Sequence, residues 1–133
     1  MKKIIFLFVI LFAGSYFFAE QQKKSDEEIA LIKIKIEQIK AAVNPKNPAP
    51  DYIKIAHLYL SIEDIDNALL YFEKAKNFDP LNASIYYMIA MIYEKKKDYT
   101  KAIENWENCL KYSKSKQLTD IASKHIKYLK EMK

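Results

Sequence analysis

The sequence predicts an all-α fold, a short α-solenoid of antiparallel helix pairs with one further helix at each end. Three observations predict it. Hydrophobic residues make up 50% of the 133 residues while glycine occurs once, which leaves no supply of Gly-rich phosphate loops or Asn-Gly hairpin turns. Residues 49–82 and 83–116 repeat one another at a spacing of 34, the kind of period that marks stacked supersecondary units. On either side of that repeat, apolar residues recur at steps of three and four, which places them on one helix face. A chain this short buries only about two thirds of its surface, too little for a deep multidomain enzyme.

The elements follow in order. Met1-Lys2-Lys3 and the apolar run Ile4 to Ala13, weakened by Gly14 and Ser15, have the layout of an export signal. Residues 1–19 are therefore read as a signal peptide or a retained anchor, since residues 4–19 fall short of the about 20 residues a membrane span needs. Either reading puts the rest of the chain outside the cytoplasm, periplasmic or held at the inner membrane. Residues 20–24 are a polar spacer. Residues 25–48 hold an N-terminal helix and a Pro-rich connection. Ser25 and Glu28 have capping-box spacing, and Ile29, Ile32, Ile36, Ile39 and Val43 form a stripe on a helix from about Asp26 to Val43. That stripe packs on the helices that follow, or pairs with a copy of itself. The segment from Asn44 to Pro50, with three prolines, is expected to end the helix and stiffen the connection.

The repeat itself is dense in matches. Tyr52 pairs with Tyr86, Ile55-Ala56 with Ile89-Ala90, Tyr59 with Tyr93, Asp64 with Asp98, Ala68 with Ala102, Phe72 with Trp106, Ala75 with Cys109, and Phe78 with Tyr112. Each unit divides into two helices joined at Glu63-Asp64 or Lys97-Asp98, with small residues where helices approach and rings where gaps must be filled. Asp79-Pro80 closes the first unit, because proline cannot continue a helix. After Lys116, residues 117–133 read as a capping helix, with Leu118, Ile121, Ala122, His125, Leu129 and Met132 on one face and Lys124, Lys127 and Lys130 on the other.

This pattern resembles the tetratricopeptide repeat. Tyr52, Ile55-Ala56, Tyr59, Ala68, Phe72, Ala75 and Pro80 fill the family's positions in the first unit. The second follows it except that Lys114 stands where proline is usual, and both units carry alanine in place of the family's glycine. The resemblance implies a protein-binding scaffold rather than any one process. It also implies that the first helix of each unit lines a concave surface. Ile53, His57 and Leu60 of one unit and Tyr87, Met88 and Met91 of the next are the candidate partner-binding residues, with Lys54, Ser61, Glu94 and Lys95 beside them. Family members that hold acidic chaperone C-termini use Lys and Asn where Ile53 and His57 stand, so the resemblance implies an apolar groove instead. Either a partner segment or one of the chain's own flanking helices is expected to cover it.

Charge and reactive groups point away from other classes. The net charge is +5, all 22 basic residues are lysine, and the ten Lys between Pro50 and Lys116 balance ten Asp or Glu. Without arginine or a basic face, nucleic acid is not an expected partner. No enzyme activity and no cofactor are expected: His57 and His125 are far apart in sequence and outside any metal-binding spacing. Cys109 occupies a small-residue position and is expected to be packing. Glu63, Asp64 and Asp66 fall at a turn where acidic residues cap the next helix. The functional expectation is an exported or anchored interaction module of the bacterial cell envelope, with protein partners; the alternative is a structural protein that self-associates through its N-terminal helix.

Overall fold

The computed structural model describes residues 24–132, and the expected signal or anchor at 1–19 lies outside them. All regular structure among the described residues is helical: α1 (Asp26–Ala41), α2 (Ala49–Ser61), α3 (Ile65–Phe78), α4 (Ala83–Lys95), α5 (Tyr99–Tyr112) and α6 (Lys116–Glu131). Helices α2 and α3 pack as one pair and α4 and α5 as the next. The pairs meet through α3 and α4, and α6 packs on α5. This is the all-α solenoid expected from the repeat. No helix among the described residues is long and apolar enough to cross a membrane.

The described chain forms two compact units, residues 24–34 and 35–132. In the first, the capping box is made: Ser25 N–H donates to Glu28 Oε2 at 2.8 Å and Glu28 N–H to Ser25 Oγ at 3.2 Å. Leu31 and Ile34 are exposed. In the second, Ile36 is buried. Helix α1 stops at Ala41 rather than Val43. Pro45 disfavours helical geometry at Asn44, whose N–H donates to Asp51 Oδ2 at 3.0 Å instead. Pro50 does not belong to the connection as expected. It lies in the first turn of α2, where a missing N–H costs no helical hydrogen bond.

Both intra-pair turns are built alike. Glu63 and Lys97 sit in the left-handed region at φ 60°, each two residues past the end of a helix. The next N–H, of Asp64 or Asp98, reaches back to Tyr59 or Tyr93 carbonyl at 2.9 Å, a Schellman ending that satisfies a terminal carbonyl. The same aspartates then cap the following helix: Asp64 Oδ1 accepts from Asn67 N–H and Asp98 Oδ1 from Lys101 N–H. Where the second unit lacks proline, Ser113 turns extended and Ser115 caps α6, accepting from Leu118 N–H.

Most matched positions of the repeat lie in the core, while Phe78, matched to Tyr112, is exposed. Ile55, Ala56, Ala68, Phe72 and Ala75 are fully buried, as are their counterparts Ile89, Ala90, Ala102, Trp106 and Cys109. Alanines let the helices approach while Phe72 and Trp106 fill the space between them. Cys109 is a buried free thiol whose pKa burial raises to about 11. Helix α6 closes the second pair with Ala122 and Leu129, while Met132, expected on its buried face, is exposed.

Candidate functional site

Ile53 and His57 sit one turn apart on α2, and Tyr87 and Met88 begin the second turn of α4. Because α2 and α4 are the first helices of successive pairs, these four residues come together around a cleft of about 210 Å³. Phe72 and Ile85 also line it, with Asn82 and Ser84 at the rim. Phe72, expected only to fill the space within its pair, reaches this cleft as well. The signal was available, since the residue that fills each pair must face the first helix. Leu60 and Met91 are not among the lining residues; Leu60 is half-buried and Met91 is exposed.

The cleft is apolar with polar edges. The His57 ring stands edge-on to Phe72 at 5.2 Å, and Tyr87 stands edge-on to Trp106 at 5.3 Å, so both are held by the aromatic that anchors their pair. Asn82 Oδ1 caps α4 through Ser84 N–H at 3.1 Å.

Glu94, expected on the exposed surface, is engaged instead. Its Oε1 accepts from the indole N–H of Trp106 and lies 2.7 Å from His125 Nδ1. The His125 ring stacks on Trp106 with centroids 4.4 Å apart. One carboxylate therefore joins α4, α5 and α6. At the other end, Lys40 of α1 donates to Tyr59 OH at 2.9 Å and lies over the Tyr59 and Tyr71 rings at 5.4 and 5.6 Å. Glu37 and Tyr59 hold its ammonium well above the ordinary lysine range. Neither cluster could be read from the repeat, because each joins a repeat to a helix outside it.

Lys96 Nζ pairs with Asp66 across the two repeats. Among the described residues no group of three or more His, Cys, Asp or Glu side chains is placed to hold a metal ion.

The tetratricopeptide-repeat family model matches residues 52–80 and 83–116. No protein of curated function matches the chain. The two matched segments coincide with the two packed helix pairs, so this part of the chain is similar to that family in both sequence pattern and packing.

Proposed function

We propose that this protein is an interaction module that binds an apolar segment of a partner protein in the cleft formed by Ile53, His57, Tyr87 and Met88. The reading is supported by that cleft above all: successive helix pairs contribute apolar side chains from one face, with His57, Asn82 and Ser84 at the edges to orient what enters. Met88 adapts to imperfect shapes and Ile53 supplies rigid bulk. The site-level proposal thus favours Ile53, His57, Tyr87 and Met88 over Leu60 and Met91. We further propose that residues 1–19 direct export or anchor the chain, so that binding takes place in the cell envelope.

A photo-crosslinking residue placed at position 88 of the full chain is expected to capture a discrete partner in cells. Ile53→Asp is expected to abolish capture while the helical circular dichroism is retained. No adduct from position 88, or an adduct indifferent to Ile53→Asp, refutes the cleft as the binding surface. Sequencing the native N-terminus tests export separately.

The second reading, self-assembly through α1, is favoured by the exposure of Leu31 and Ile34, 66% and 55%. A monomer in sedimentation of the full chain would remove it.

A further inference from the structure

The two repeats differ at one aromatic position in a way that leaves a space. In the first repeat, Tyr71 of α3 packs its ring against both Tyr52 and Tyr59 of α2, with centroids 5.9 and 5.6 Å away, and is buried. Tyr52 and Tyr59 are two helical turns apart, so the Tyr71 ring fills the gap between them. Thirty-four residues later the walls are kept: Tyr86 and Tyr93 stand on α4, and Tyr86 keeps the neighbour Tyr112 at 5.5 Å just as Tyr52 keeps Phe78 at 5.9 Å. The filler is not kept. Asn105 replaces Tyr71, and its Nδ2 turns back to donate to the Lys101 carbonyl at 2.8 Å.

The consequence is a cleft of about 320 Å³ bounded by Tyr86, Tyr93, Asn105 and Asn108. It lies on the face of α4 opposite Met88 and Ser84, since two residues turn a helix by about 200°. Its four charged lining groups cancel, Glu73 and Glu104 against Lys76 and Lys101, so it selects no charge. Lys101 already lies over the Tyr93 ring at 5.2 Å, as Lys40 lies over Tyr59.

We propose that this cleft is a second binding site, which takes a neutral aromatic side chain of the tyrosine type from a partner polypeptide. The first repeat is the template: it shows a phenol ring seated between the same two walls beneath a lysine ammonium. The carbonyl oxygens of the Asn105 and Asn108 amides, whose N–H groups are turned to backbone carbonyls, are acceptors suited to a phenol hydroxyl or a peptide N–H. The site is independent of the cleft at Ile53 and Met88 and does not require it to function.

The test uses N-acetyltyrosinamide as the probe and N-acetylleucinamide as the control, with the side-chain amide resonances of Asn105 and Asn108 in the full chain as readout. Saturable shifts with the tyrosine probe, at least about tenfold weaker with the leucine control, are expected. Asn105→Tyr, which supplies the chain's own filler, is expected to abolish probe binding and to leave partner capture from position 88 unchanged. Should that variant not fold, Tyr93→Leu removes one wall and is expected to weaken the probe about tenfold. No shift at either asparagine, equal binding of both probes, probe binding that survives Asn105→Tyr, or probe affinity unchanged by Tyr93→Leu would overturn the proposal.

Discussion

At the outer edge of each helix pair the two repeats use opposite chemistry in the same register. Leu60, Phe72 and Met91 occupy the places that Glu94, Trp106 and His125 occupy one period later. The first set is apolar and falls where another repeat follows. The second falls where the stack ends, and there a carboxylate, an indole N–H and an imidazole join three helices. A repeat that meets another repeat needs only bulk at this place. A repeat that meets a solvated terminal helix gains orientation from polar groups, which specify geometry more strongly than they stabilise.

Removing the anchors should give the largest effects. Phe72→Ala and Trp106→Ala are each expected to cost about 3 to 5 kcal/mol in urea denaturation. Only Trp106→Ala should selectively accelerate amide exchange in α6, because only Trp106 carries His125. Equal exchange in the two variants would break the comparison.

Severing the carboxylate is next. Glu94→Leu leaves the indole N–H and His125 without their shared acceptor and is expected to cost about 1 to 3 kcal/mol. Combining it with His125→Met rewrites the edge in the first repeat's chemistry. A double-mutant cycle should show coupling of about 0.5 to 3 kcal/mol, and strict additivity would mean the contact is incidental.

Smaller effects test where the repeats are alike. Glu63→Gly and Lys97→Gly relieve the same left-handed strain and should each raise stability by about 0.5 to 1 kcal/mol, by nearly equal amounts. Unequal gains would show that the turns differ in more than sequence.

An effect confined to alkaline pH separates Ala75 from Cys109. Burial raises the Cys109 pKa from 9.0 to about 11, so the folded state keeps a proton that the unfolded state gives up. Its contribution is constant below pH 9 and falls as pH rises from 9 towards 11. Cys109→Ala should remove that alkaline loss in thermal melts, and an unchanged pH profile would show the thiol has no part in it.

The sequence by itself determined the helix pairs, their anchors and their turns. The anchor and turn positions of a repeat recur after 34 residues, so Phe72 and Trp106, or Asp64 and Asp98, declare one another. It also named four of the residues that meet around the first cleft, because first helices of successive units share a side. What only the tertiary structure decided lies between elements that share no period: Lys40 against Tyr59, Glu94 against His125, and Pro50 drawn into α2. The open space beside Asn105 belongs there too. A missing ring is visible in the sequence as one mismatched pair, but whether neighbours close over the gap depends on the packing of α3, α4 and α5 together.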